Sequence, residues 1–205
     1  MLPSLSDAAL RLRQHLAQLA PLSDEDWRLL VPHMRLVSVA RHGVFAEQGR
    51  VAGEVAFVLE GLFRQYYTKD GEERTSYFFF EDQLMGAYFS SLTGRPSLVT
   101  IEALSESHCL TFPYVVLVDL FGQRMAWQQL GRRLAEYLAV GLEERMVSLL
   151  LLSPAERYQA LLISGDPRIL ARVPQHYIAN FLGVTPVSLS RIRNRTTRGQ
   201  WRRRF

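Results

Sequence analysis

The sequence predicts an α+β chain: an N-terminal antiparallel β-roll of the jelly-roll kind, then one long helix, then a C-terminal winged helix-turn-helix domain. Three observations lead there. Residues 34–113 break into short apolar runs separated by glycines at Gly43, Gly49, Gly53, Gly61, Gly71 and Gly86. Gln123 to Leu150 keeps an uninterrupted helical apolar period. Gln175 to Arg195 spaces its apolar residues, one glycine and one proline as two short helices joined by a tight turn do.

At the N-terminus, Asp7–Leu19 reads as a helix with Leu10, Leu12, Leu16 and Leu19 apolar. Ser23 caps a second helix through Trp27, Leu30 and Val31, with Asp24, Glu25 and Asp26 in the first turn, where the helix dipole favours acids. Strands are expected at Arg35–Ala40, Val55–Glu60, Leu62–Thr68, Arg74–Phe80, Val99–Ala103 and His108–Phe112. Lys69-Asp70-Gly71-Glu72 makes a hairpin turn, because Asp-Gly tolerates the positive φ that such turns need. Many short strands with regular turns indicate a closed sandwich or roll. The run Tyr77-Phe78-Phe79-Phe80 looks like a ligand platform, but a strand buried on both faces explains it more simply.

After Pro113 the pattern turns helical. The long helix places Leu130, Leu134, Leu138, Leu142, Met146 and Leu149 at helical spacing, interleaved with Trp127, Tyr137, Ala139 and Val140. That face is broader than one β domain needs to cover. One side is therefore expected on the roll and the other on a second copy, with Gly141 permitting close approach. Ser153-Pro154 ends the helix, the hinge lies near Leu152, and a further helix runs Pro154–Ile163. The expected divisions are 1–122, 123–152 and 153–205.

The segment 175–195 carries the most specific signal. Ile178, Phe181 and Leu182 lie at i, i+3 and i+4 on a first helix from Gln175. Gly183 lets the chain enter the left-handed region and turn. Thr185 supplies a capping oxygen, and Pro186 takes the first helical position, where a missing N–H costs nothing. Leu189 and Ile192 pack back where Ala179 is small enough for the axes to cross closely. Ser188, Ser190, Arg191 and Asn194 are left facing out, the arrangement that puts a helix into the major groove of double-stranded DNA. An ordinary helical hairpin is the alternative.

Charge favours the DNA reading. Residues 151–205 hold 10 arginines against 2 acids, net +8, whereas residues 1–150 are net −4. The run Arg191, Arg193, Arg195, Arg198, Arg202, Arg203 and Arg204 contains no acid and suits a polyphosphate through counterion release. Trp201 within it is expected to pack on the domain. The single cysteine, Cys109, excludes an internal disulfide framework and four-cysteine metal sites, and points to a reducing cytoplasm. No secretory leader or membrane span is expected. His15, His33, His42, His108 and His176 show no metal-ligand spacing, so neither a metal nor a cofactor is expected. No catalytic constellation is legible, so an enzyme, including a cupin-like one, is not expected.

The glycine-patterned stretch GRVAGEVAFVLEGLFRQYYTKDGEE, the long helix, SPAERYQALL and VPQHYIANFLGVTPVSLSRIR together resemble the Crp/Fnr family of bacterial transcription regulators, over nearly the whole chain. The resemblance implies a cyclic-nucleotide-binding-like sensor roll, a homodimer joined by the long helices, a small-molecule effector, RNA polymerase as a further partner, and two recognition helices about one DNA turn apart. It places DNA contacts at Gln175, Thr185, Val187, Ser188, Ser190, Arg191, Asn194 and Arg195. It places an effector pocket at Gly86, Ala87, Arg95 and Ser97. An effector-binding module that does not touch DNA is the other reading.

Two departures matter. Members that bind cyclic AMP carry a Gly-Glu pair for the ribose and, about ten residues on, an arginine for the phosphate. Here Ala87 follows Gly86, and counting on reaches Ser97, with Arg95 two positions early. Tight cyclic AMP binding is therefore not expected. On the recognition helix, Pro186 and Val187 stand where the family often has a glutamate, so a thymine methyl is favoured over cytosine N4 at that position. The cysteines of an iron–sulfur sensor are missing, and His108-Cys109 reads as a buried strand pair rather than a haem ligand.

Overall fold

The computed structural model describes residues 3–202, with side chains as far as Arg195. Helix α1 (Leu5–Ala17) begins two residues before the apolar period suggests, because Ser4 accepts the Asp7 N–H and starts it. Helix α2 (Asp24–Leu30) opens on a reciprocal capping box between Ser23 and Asp26.

The roll consists of β1 (Arg35–Val39), β2 (Val44–Ala46), β3 (Glu54–Glu60), β4 (Phe63–Lys69), β5 (Glu72–Phe79), β6 (Leu84–Gly86), β7 (Thr100–Ala103) and β8 (Ser107–Pro113). They form two four-stranded antiparallel sheets, ordered β1-β8-β3-β6 and β2-β7-β4-β5. Asp70 and Gly71 take φ of 54° and 77° at the β4–β5 turn, as the Asp-Gly pair requires. Strands β2 and β6 were not expected: three residues each are too few to show a period.

Alternation along the strands sorts side chains into three apolar layers. On β3, Phe57 and Leu59 face the helices and join α1, α2 and the start of the long helix around Leu12, Leu30 and Trp127. Ala56 and Val58 face inward and meet Phe63, Phe79, Ile101 and Cys109 between the sheets. The third layer lies outside the second sheet, where Leu62, Phe78, Phe80 and Leu104 share a cluster with the C-terminal helices. Phe78 to Phe80 is therefore buried on both faces as expected, although Tyr77 remains 41% exposed.

Seven further helices complete the described chain: α3 (Tyr88–Thr93), α4 (Tyr114–Gln123), α5 (Met125–Leu151), α6 (Pro154–Ser164), α7 (Pro167–Arg172), α8 (Gln175–Phe181) and α9 (Pro186–Arg202). The long helix α5 starts at Met125 rather than Gln123, because Arg124 is extended (φ −134°, ψ 123°) and separates it from α4. Its buried residues are Trp127 and Leu130; beyond them Leu138, Leu142, Met146 and Leu149 are all exposed. Leu152 is extended between α5 and α6, and Ser153 and Glu156 cap α6 reciprocally.

The expected wing is corrected: among the described residues no strand follows β8, and α9 continues to Arg202. Residues 193–202, RNRTTRGQWR, have no apolar alternation from which to build a hairpin. The side chains of Arg198, Trp201 and Arg202 and the segment 203–205 lie outside the described residues.

Candidate nucleic-acid interface and sensor pocket

The turn between α8 and α9 is built as its residue types demand. Gly183 sits at φ 71°, and the Gly183 and Val184 amides donate to Asn180 O (3.0 Å) and Ala179 O (2.9 Å). The Thr185 hydroxyl accepts the Ser188 N–H at 3.2 Å and donates to the Ser188 hydroxyl at 3.0 Å, capping α9 ahead of Pro186. Ala179, Leu182 and Leu189 are almost fully buried at the crossing. Val187, Ser190, Arg191, Asn194 and Arg195 are exposed along α9, as are Gln175 and Thr185 at the starts of α8 and α9, while Ser188 is half-buried against its cap.

Two helices fix the C-terminal end of α8 in place. Arg145 of α5 donates to Phe181 O (2.5 Å) with its guanidinium 3.9 Å over the Phe181 ring. Arg157 of α6 donates to Leu182 O (3.0 Å) and Leu152 O (3.0 Å). Both cations thus satisfy carbonyls at the negative end of α8. Burial, then the neighbouring Arg157 charge, lowers the Arg145 pKa to about 10.

The roll grips α8 from the other side. The Asn180 amide accepts Thr75 N–H at 2.6 Å and donates to Glu73 O at 2.8 Å, completing the outer edge of β5 as another strand would. Arg64 on β4, 2% exposed, pairs with Glu73 (2.6 Å) and Glu102 (3.2 Å) and lies between the Tyr66 and Tyr177 rings at 4.0 and 4.1 Å. His42 Nδ1 extends this group by meeting Glu102 at 2.7 Å. Nearby, Glu81 takes Arg172 of α7 in a two-point pair (2.6 and 2.8 Å) and accepts Gly61 N–H at 3.0 Å. Burial alone would raise the Glu81 pKa; the Arg172 hydrogen bond and two backbone amides hold it down at about 2.

In the roll, Gly86 pairs with Val55 at the end of β6, and Ala87 is buried at 2% exposure among the inward-facing side chains. The next turn closes on itself. Ser90 donates to Arg95 O (2.6 Å) and accepts Ala52 N–H (2.9 Å), Ser97 N–H donates to Arg50 O (2.8 Å), and the buried Ser97 hydroxyl is taken by Val99 O (2.7 Å). Arg95 is exposed and rests over Phe89 at 5.3 Å. The four expected pocket residues are thus close in the chain, but the Arg95 carbonyl is taken by Ser90, and the Ser97 amide and hydroxyl by Arg50 and Val99. A separate open cleft of about 390 Å³ lies between α3, α4 and the start of β3, lined by Gly53, Glu54, Ser91 and Tyr114. Cys109 is fully buried and its thiol pKa is pushed up to about 12 by that burial, consistent with a packing role. Among the described residues, no cluster of three His, Cys, Asp or Glu side chains suits a metal, and no helix is long and apolar enough to cross a membrane.

The α8 grip was missed by sequence reasoning. Its one visible signal is Arg64, a lone cation directly after Leu62-Phe63 in an apolar strand start.

Residues 36–124 match the family model of the cyclic nucleotide-binding domain. No curated protein sequence matches the chain. Among solved structures, the fold is similar to FixK2 from Bradyrhizobium japonicum, with TM-score 0.68 and 20% identity over 81% of this chain and 86% of that one. It is similar to the catabolite activator protein of Thermus thermophilus, with TM-score 0.55 and 21% identity over 91% and 88%. A Crp/Fnr-family transcriptional regulator from Eubacterium rectale gives TM-score 0.62 and 18% identity over 83% and 82%. At these identities the likeness establishes the fold.

Proposed function

The chain has the Crp/Fnr fold, with a cyclic nucleotide-binding domain at residues 36–124, and on that premise we propose that it is a DNA-binding transcription regulator acting as a homodimer. The sensor region is 1–122, the dimerisation helix 123–152 and the DNA-binding region 153–205. The observation that carries this reading is the outward face of α9: Val187, Ser190, Arg191 and Asn194 are exposed on a helix whose start is capped and whose inner face is anchored by Leu189.

In that role Val187 meets a thymine methyl, Ser188 and Ser190 adapt to either base edge, and Arg191 reads guanine O6 and N7. Gln175, Asn194 and Arg195 flank these and hold phosphates, which fix register without reading sequence, while Thr185 holds the start of α9 through its cap. The exposed Leu138, Leu142, Met146 and Leu149 of α5 supply the apolar seam for a second copy. The effector is not cyclic AMP: Ala87 offers no acceptor for a ribose, and the Ser97 hydroxyl is already taken.

An electrophoretic shift assay with sheared genomic DNA tests the reading. Retardation that weakens steeply with salt is the expected result. A folded dimer that retards no duplex at low salt would leave an effector-binding module and sink the regulator.

A further inference from the structure

We propose that the seam between β4–β5 and α8 is a positioning device that fixes the angle of α9, so that the dimer measures the distance between two half-sites. The proposal rests on the DNA-binding reading above. It concerns residues of the roll and of α8 that touch no DNA.

A helix-turn-helix tethered only through its hinge can rotate about that hinge, and its recognition helix then tolerates half-sites at several spacings. Here the first helix is held at its C-terminal end and along one side. At its C-terminal end Arg145 and Arg157 take the Phe181 and Leu182 carbonyls. Along its length Asn180 is bonded twice to the backbone of β5, and Tyr177 lies against the guanidinium of Arg64. Arg64 is itself paired with Glu73 and Glu102, carboxylates from β5 and β7, so the ring meets a cation held from two strands.

The position of α8 passes directly to α9. The two are joined only by residues 182–185, with Val184 N–H bonded to Ala179 O, and Ala179 has no exposed surface at the crossing. Residues of the sensor strands therefore set where the reading face points. Adding one base pair between half-sites moves one of them by roughly 3.4 Å and rotates it by about 35°. A mount held by directional bonds resists that rotation, whereas a flexible hinge absorbs it.

The test uses the full chain and duplexes recovered by in vitro selection with it, resynthesised with one or two base pairs inserted or removed at the centre. The wild-type chain is expected to lose about tenfold in affinity per step, the size of one mismatched base pair. In Tyr177→Ala and Asn180→Ala the loss per step should fall to about twofold, with base preference within each half-site unchanged. Tyr177→Phe keeps the ring over Arg64 and should behave as wild type. Damage to the fold alone would weaken every duplex by the same factor and preserve the spacing ratio, so a preserved ratio in both variants overturns the proposal. Failure of the wild-type chain to select any duplex would instead overturn the DNA-binding reading on which it depends.

Discussion

Replacing Glu81 with Gln removes the carboxylate that pairs with Arg172 and so joins the β5–β6 turn to α7, while keeping its size. Its pKa lies at about 2 against an ordinary 4.5, and at somewhat over 1 kcal/mol per unit the whole shift would amount to about 3 kcal/mol. The Glu81 side chain is 23% exposed and that of Arg172 38%, so solvent screening reduces the expected cost of Glu81→Gln to about 1–2 kcal/mol at pH 7. The sign of the pH dependence follows from the lowered pKa. The stabilisation is fully present above pH 4.5, the unfolded value, and is lost as pH falls toward 2. Urea unfolding of both proteins from pH 7 to pH 3.5 should therefore show the gap narrowing by about 0.5–1 kcal/mol, as the wild-type carboxylate takes up its proton in the unfolded chain. A gap that stays constant or widens on acidification would refute the assignment of Glu81 to an ionic contact.

Gly183→Ala should cost about 1–2 kcal/mol in the same assay, all of it from the left-handed φ of 71°, since the nearest atom to an added Cβ is an ordinary 3.5 Å away; Gly183→Asn should cost clearly less, and equal losses would count against a backbone origin. Leu142→Glu, at a residue 66% exposed, should convert the proposed dimer to monomer by light scattering while leaving secondary structure by circular dichroism intact; a dimer that survives places the interface elsewhere. Calorimetric titration with cyclic AMP should show no sub-micromolar binding, and observing it would mean that the turn closed by Ser90 and Ser97 opens for ligand.

Local chemistry made most of the fold legible. The capping boxes at Ser23 and Ser153, the Asp70-Gly71 turn, and the Gly183, Thr185 and Pro186 sequence each act within four residues, so residue type alone announces them. Periodicity found the longer strands and α5, but it had too few residues to work with at β2, β6 and the six-residue α7. The expected wing had no such support, since residues 193–202 show no apolar alternation. The grip on α8 was beyond any local rule: Asn180 meets Thr75 105 positions away, and Arg172 meets Glu81 91 positions away. In the sequence each of these is only a polar residue on a helix or strand. Their pairing depends on which sheet face the C-terminal helices cover, and that is a property of the folded chain.

The covering of that face predicts how the chain responds to being divided. Phe78 and Phe80 are 3% and 1% exposed, and their cover comes from Ile169, Phe181, Arg168 and Arg172 of α7 and α8. A fragment ending at Leu152 would present both rings to water, together with Leu62 and Leu104 of the same cluster. Burying one phenylalanine is worth about 1.5–3 kcal/mol, so the two rings alone represent roughly 3–6 kcal/mol, comparable with the whole stability of many domains. It would also leave Arg64 without Tyr177, and the Thr75 and Glu73 backbone groups without Asn180. The 1–152 fragment is therefore expected to bind 8-anilinonaphthalene sulfonate, to associate beyond a dimer, and to melt well below the full chain. A fragment that stays dimeric, excludes the dye and melts with the full-length protein would show that the outer face of the second sheet needs no cover, and the roll and the reading head would then be independent units.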